Sequence, residues 1–439
     1  MALAGQPGRV LGRASATGPT WPLRAASRRT LAARPAQPAC SASARSTTGR
    51  RALATQAEPS DLPPTFGIAP RLTPSGSKWT RAEIQALYDS PLLELAFQAA
   101  TVHRQYHDPA KVQLCAWCLL VSAQSSGTLL NIKTGGCSED CSYCSQSSKN
   151  PTGLKATKLM DIEPVLAAAR EAKANGSTRF CMGAAWRDLN GRKSGFKRIL
   201  EMVKEIRAMD LEVCTTLGML DADQARQLKE PSCASTLLTA LRSSYNHNLD
   251  TSREHYPKVI TTRTFDERLQ TVEHVRNAGI SVCSGGIIGL GEAPKDRVGL
   301  IWEMSQMPEA PESFPVNALV AIEGTPLENE QPVTFPEMLR TVATARIVLK
   351  TSIVRLAAGR TSFSEAEQAM CFMAGANSIF TGGRMLTTAT NEADTDHALL
   401  DRWGLVGMRA FESRTMAPHA ARGGSASASE ALPMDAAAL

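Results

Sequence analysis

Eight short β-rich runs separated by amphipathic helical stretches predict an α/β fold: a parallel (β/α)8 barrel of TIM type with an N-terminal helical extension. A doubly wound open sheet is the competing arrangement. The count of eight runs favours closure, and no G-x-G-x-x-G follows a first strand, which weighs against a dinucleotide fold.

Residues 1–57 hold nine arginines, no lysine and no acidic residue, and are rich in Ala and Ser. That composition predicts a disordered organelle transit peptide, for the mitochondrion first and the plastid second. A linker is assigned to 58–85, with Pro, Thr and Ser concentrated over 58–76. A helix is expected after Thr80, and 92–100 (LLELAFQAA) is apolar enough to pack on the main domain, drawn over 86–415.

The strand runs are 129–135, 178–184, 212–218, 245–250, 281–289, 314–320, 352–358 and 378–383. Between them, Ile199, Met202, Val203 and Ile206 fall on one helix face. Thr264 with Glu267, and Ser364 with Glu367, read as capping boxes that open helices. The Ala- and Ser-rich residues 416–439 are expected to form a flexible tail.

Removing residues 1–57 turns the net charge from +6 to −3, so nothing points to nucleic acid. No run of eighteen apolar residues occurs, so no membrane-spanning helix is expected. Eleven cysteines in a chain of 439 residues point to metal binding or chemistry rather than a disulfide framework.

Three of them stand at Cys137-x3-Cys141-x2-Cys144, directly after the first strand run. Thiolates suit iron–sulfur clusters and zinc alike. Structural zinc wants four closed ligands, whereas three thiolates on a [4Fe–4S] cluster leave one iron open. Cys181, Cys214 and Cys283 each lie inside a strand run. Any one alone reads as a small buried hydrophobe. Three on three barrel strands can face inward together and hold a second cluster.

The loop with Tyr143 before its last cysteine resembles the radical S-adenosylmethionine (SAM) superfamily. The stretches NIKTGGCSEDCSYC, GSTRFCMGAAW, YNHNLDTS, ITTRTFDERL, VCSGGIIGLGE, VRLAAGR and QAMCFMAGANSIF resemble biotin synthases from about Lys111 to Leu405. The resemblance implies a [4Fe–4S] cluster on Cys137, Cys141 and Cys144, with SAM on the open iron. It implies a [2Fe–2S] cluster on Cys181, Cys214, Cys283 and Arg355, ringed by Arg179, Ser313 and Ser378. Arg355 would not be proposed from spacing, since arginine stays protonated and rarely ligates metal. SAM would meet Tyr143, Gly183, Ala184, Asp250 and Gly289. Dethiobiotin would meet Asn246, Asn248, Asn317, Thr387 and Thr388.

Asn246, Asn248 and Asp250 alternate and would share one strand face. The implied reaction inserts sulfur into dethiobiotin and needs no titrating side chain, so no catalytic acid or base is assigned and His247 reads as structural. A ferredoxin-type electron donor, the iron–sulfur assembly machinery and a homodimer are the implied partners.

Two stretches, 114–127 and 230–244, depart from the resemblance, and Cys115, Cys118 and Cys233 within them are not counted as ligands. Ser145 replaces the usual proline after the third cluster cysteine, and Cys371 reads as core. A maturase or methylornithine-type mutase of the same superfamily is the second enzyme reading, disfavoured by the full set Cys181, Cys214, Cys283 and Arg355. A lipoyl synthase would need a further N-terminal cysteine motif. A metal-binding scaffold without SAM cleavage is the reading from outside enzymes.

Overall fold

Thr80 caps the first described helix. Its hydroxyl accepts from the Glu83 amide while the Glu83 carboxylate accepts from Thr80 N, so two end groups are satisfied at once. The computed structural model describes residues 78–116, 130–229, 243–381, 384–385, 388–389, 391 and 393–409. The expected transit peptide and C-terminal tail, and most of the linker, lie outside them. Helix α1 (Arg81–Tyr88) therefore starts where the helical extension was expected. Helix α2 (Leu92–Tyr106) packs on the barrel through Leu95, Ala96, Ala99 and Val102.

The barrel follows in chain order. Strands β1 (Lys111–Ala116) and β2 (Leu130–Lys133) precede α3 (Ile162–Ala174), β3 (Arg179–Ala184) and α4 (Lys193–Arg207). Then come β4 (Glu212–Thr216), α5 (Ala222–Lys229), β5 (Ser243–Asn246), α6 (Tyr256–Val259) and α7 (Phe265–Asn277). Next are β6 (Ser281–Cys283), β7 (Gly286–Ile288), α8 (Pro294–Gln306), β8 (Ser313–Ala318), α9 (Phe335–Val348) and β9 (Ile353–Leu356). The chain ends with α10 (Glu365–Met373), β10 (Ser378–Thr381), the ribbon β11 (Arg384–Met385) and β12 (Thr388–Ala389), α11 (Ala393–Arg402) and β13 (Val406–Gly407).

All wall pairings are parallel. β3, β4, β5 and β6 pair in succession, β8 continues from β6 and β7, β9 and β10 follow, and β10 pairs β1, which returns to β3. The ring is closed, as the eight runs predicted. The run at 281–289 is split in two. Pro315 of β8 has no N–H to offer there, and a Cβ on Gly285 would sit 2.1 Å from Pro315 O.

β1 and β2 occupy one wall position. Cys115 pairs with Arg179 and Leu130 with Met182. The chain advances fifteen residues while its partner advances three, so twelve residues are surplus to one continuous strand. Leu114, Cys115 and Ala116 belong to β1, and Ser243 and Ser244 to β5. Residues 117–129 and 230–242, with Cys118 and Cys233, lie outside the described residues.

The alternating strands send Phe180, Met182, Val213 and Tyr245 outward onto helices, where Ile199, Met202, Val203 and Ile206 of α4 meet them. The other half of the wall packs on α8 and α9. Both anticipated capping boxes open helices, Thr264 at α7 and Ser364 at α10, and Cys371 is buried on α10. What faces inward is a third group: Cys115, Cys181, Cys214, Cys283 and Ala357. Bulky branched side chains usually fill such an interior.

Candidate active site

The Cys137–Cys144 loop is held by its own spacer residues. Asp140 accepts from the amides of Thr261 and Thr262, at 2.9 and 3.2 Å, and from both hydroxyls. Buried Glu139 pairs with Arg187 and Arg263 and accepts from the Thr262 hydroxyl. The Asn150 amide donates to the carbonyls of Cys141 and Cys144, at 3.0 and 2.8 Å. The backbone is thereby fixed and the three thiols are left without a covalent partner. Burial pushes Cys141 up to about 12 and Cys144 up to about 11, and raises Cys137 as well. These thiols keep their protons until a metal displaces them. No three His, Cys, Asp or Glu among the described residues are grouped as a single metal ion requires. A cluster instead takes each thiolate on a different iron.

The loop forms one side of a cavity of about 280 Å³ at the C-terminal ends of the strands, where barrel sites lie. Tyr143, Ala184, Asn246, Asn248, Asp250 and Asn317 line it too. The shared strand face expected for Asn246, Asn248 and Asp250 is corrected in its local structure. β5 ends at Asn246, because the chain turns and Asp250 adopts φ +68°. All three still reach the cavity.

Asp250 is buried, and its Oδ2 accepts from Tyr143 OH at 2.8 Å and pairs with Arg268 Nη2 at 2.6 Å. Gly286 lies beneath it, where a Cβ would come within 2.5 Å of Asp250 O. Gly289 has φ +92°, and its amide and that of Leu290 donate to Glu292, which sets the glycine-rich turn. Gly183 and Gly289 do not line the cavity itself. Thr387 lies outside the described residues, and Thr388 is described only as backbone of β12. His247 lines the cavity with Nε2 unpartnered, and burial holds it well below the ordinary histidine range, hence neutral.

Arg263, Arg268, Glu139 and Asn150 were not singled out from sequence. The signal available for the arginines was their place in ITTRTFDERL, a loop followed by a capped helix that lands beside β5.

Beneath the cavity, Cys181 and Cys214 are Cα partners on β3 and β4, and Cys283 stands opposite Ser313 on β6 and β8. Arg355 Nη1 approaches Cys283 Sγ at 3.5 Å, while its Nε donates to Ser378 Oγ at 2.9 Å and Nη2 to Gln113 Oε1 at 3.1 Å. Arg179 is fully buried and makes two bonds to Glu212 Oε2, at 2.9 and 2.6 Å. Two guanidinium groups against one carboxylate favour a thiolate at some of these sulfurs, while Cys181 and Cys283, through the hydrogen bonds they make to their neighbours' sulfurs, are held well above the ordinary thiol range. Hydrogen bonds from Cys181 and Cys283 hold Cys214 well below the ordinary thiol range. Cys115 is also brought down, to about 6: burial opposes this, but a hydrogen bond from Cys181 and the charges of Arg355 and Arg179 prevail. Arg179 Nη1 and Ser313 Oγ are buried without a partner, so a sulfide-bearing group among the thiols would find both donors and cations there.

Two family models match: the radical SAM superfamily over residues 131–301, and the biotin and thiamin synthesis associated domain over 315–406. The chain is 58% identical over 358 residues to "Biotin synthase, mitochondrial" of Emericella nidulans, covering 82% of this chain and 86% of that protein. It is 55% identical to the mitochondrial biotin synthase of Saccharomyces cerevisiae over 76% of this chain and 85% of that one. The chain belongs to the biotin synthase family. In Arabidopsis thaliana the mitochondrial biotin synthase is 57% identical, over 75% of this chain and 81% of that protein.

Among solved structures, methylornithine synthase aligns with a TM-score of 0.59 at 17% identity, over 76% of this chain and 96% of that one. An [FeFe]-hydrogenase maturase aligns at 0.60 and 14%, over 75% and 72%. At such identities they share the fold alone. Membership of the radical SAM superfamily implies a [4Fe–4S] cluster and SAM, and the Cys137–Cys144 loop beside an open cavity fits both. No helix among the described residues is long and apolar enough to cross a membrane.

Proposed function

We propose that the chain makes biotin from dethiobiotin, with Cys137, Cys141 and Cys144 holding the [4Fe–4S] cluster and a second, [2Fe–2S] cluster in the barrel interior serving as the sulfur source. The observation that carries this reading is the vertical arrangement. An open three-thiol loop stands over a cavity, and a group of buried thiols with two arginines lies directly below it. Bound together, the upper cluster and SAM supply a 5′-deoxyadenosyl radical, a hydrogen-abstracting species that the protein itself cannot make.

The chain's own residues bind and orient. Asp250, charged and aligned by Tyr143 and Arg268, is suited to accept the ribose hydroxyls of SAM. Ala184 and the segment from Gly183 would face its methionyl end, and Gly289 its adenine. Asn246 and Asn248 present amides at the cavity wall, each with one modest internal bond, to Thr216 Oγ1 at 3.3 Å and from Gly285 N at 3.2 Å. That leaves donors and acceptors for the ureido ring of dethiobiotin. Asn317 already spends one bond at each end, on Gly286 O and Ala358 N, so it would fix the pocket edge as well as touch substrate. Thr387 and Thr388 are assigned to the substrate carboxylate.

Cys181, Cys214 and Cys283 would hold the second cluster with Arg355 at its fourth corner, and Arg179, Ser313 and Ser378 around it. The low-dielectric interior keeps water from the radical and strengthens each of these contacts. A ferredoxin-type reductant, the iron–sulfur assembly machinery and a second copy of the chain are the proposed partners, and the mitochondrion the proposed compartment.

The test uses the chain from Glu58, reconstituted anaerobically with iron and sulfide and supplied with reductant, SAM and dethiobiotin. Both 5′-deoxyadenosine and biotin are expected. Cys137→Ala is expected to abolish both products. Cys181→Ala is expected to keep some SAM cleavage while losing biotin, and equal loss of the two products would overturn the separate roles of the two sites.

A further inference from the structure

Cys115 stands among the buried thiols without having been assigned a part. It is fully buried on β1 and belongs to the inward group with Cys181, Cys214 and Cys283. Its Cα partner is Arg179, two residues before Cys181 on the same inward row of β3. Its Sγ lies 3.9 Å from Ser378 Oγ and 3.8 Å from Gln113 Oε1. Arg355 donates to both of those groups. Cys115 and Arg355 therefore address the same corner of the barrel interior.

The two differ in chemistry. A guanidinium is cationic and a poor ligand, whereas a thiolate is the ordinary ligand of a [2Fe–2S] cluster. We propose that Cys115 is a fourth thiolate site of the interior cluster and takes the iron at the corner it shares with Arg355. This rests on the second-cluster reading given above. The exchange is of ligands only: one iron–nitrogen contact is replaced by one iron–sulfur bond, the thiol proton passes to the guanidine nitrogen that leaves the iron and restores the guanidinium, and no electron moves. The interior can then present an all-cysteine set, Cys115, Cys181, Cys214 and Cys283.

The experiment compares the anaerobically reconstituted holoprotein with Arg355→Ala, Cys115→Ser, the double variant and Cys181→Ser. Iron and acid-labile sulfide are counted, the rate of iron release to a chelator is followed, and the reduced [2Fe–2S] signal is recorded by electron paramagnetic resonance. Arg355→Ala is expected to keep the interior cluster with a signal typical of all-thiolate ligation. Cys115→Ser is expected to speed release of that cluster's iron about tenfold, and the double variant to lose it. If the double variant behaves as Arg355→Ala alone, and Cys115→Ser releases iron as wild type does, the proposal is overturned. Cys181→Ser separates the two ideas: if it retains all the iron, the second cluster itself is wrong, and if it loses the interior iron while Cys115→Ser does not, only the part given to Cys115 fails. Circular dichroism and thermal melting verify that each variant folds, and Cys115→Ala replaces Cys115→Ser should the buried hydroxyl prevent folding.

Discussion

Asp250 carries the most constrained chemistry at the scale of single residues. It is a non-glycine residue at φ +68°, a conformation that costs energy and persists only when neighbours over-determine it. Tyr143, Arg268 and the amide of Ile287 do so. Arg268→Met would leave that carboxylate buried without its cation. The expected cost is roughly 3–5 kcal/mol, read by urea unfolding, with SAM binding lost in calorimetric titration. A cost under about 1 kcal/mol would show that the pair is not the restraint.

Asp140 anchors the cysteine loop from outside. Burial alone would raise its pKa, but hydrogen bonds from Thr261 and Thr262 prevail and take it from 3.8 to about 2. A depressed carboxylate stabilises the fold above its unfolded pKa, and that contribution fades as pH falls through the folded value. The stability gap between the apoprotein and Asp140→Asn is therefore expected to be full above pH ~4 and gone near pH ~2. Its size, after screening, is on the order of 1 kcal/mol. A gap that does not change with pH would contradict the anchoring role.

Among the secondary-structure elements, the wall strand shared by β1 and β2 is the unusual one. The pairing with β3 stays in step across the interruption, so the surplus is carried by the chain between them. Closing twelve residues between adjacent strand positions costs about 2 kcal/mol in chain entropy. Deleting residues 117–128 joins Ala116 to Leu129, and is expected to raise the urea midpoint by a comparable stability while keeping Cys115 opposite Arg179. A deletion variant that no longer folds would show that the segment is part of the wall. The strand expected at 129–135 was legible as the second half only. Its first half, Lys111–Ala116, was hidden because a period-2 pattern cannot be followed across the residues that separate it from Leu130–Lys133.

For the whole molecule, charge is segregated. All nine cations of residues 1–57 stand without an acid, and the remainder carries −3. Fused to a fluorescent protein, residues 1–57 are expected to direct import into mitochondria, and replacing the nine arginines by glutamine to abolish it. Retention in the cytosol by the unaltered segment would remove the targeting role.

The fold was readable because its signals are local. Capping boxes at Thr264 and Ser364, the α4 stripe and eight β-rich runs each depend on neighbours a few residues away. The Cys137–Cys144 loop was equally local, three thiols within eight positions. What the residues alone pointed to was therefore a barrel, whose closure the fold had to decide, and a three-cysteine loop after the first strand run. Only the tertiary structure decided which thiols meet inside. Cys115, Cys181, Cys214 and Cys283 are far apart in the chain, and nothing in one strand records which residue stands opposite it on the next. Ring closure brings β1 against β3 and β10, which turns Cys115 from a residue of an irregular stretch into part of the interior. Asp250 and Arg268 likewise lie eighteen positions apart, and the pair exists because α7 packs where β5 ends, a contact set by long-range burial rather than by any local pattern.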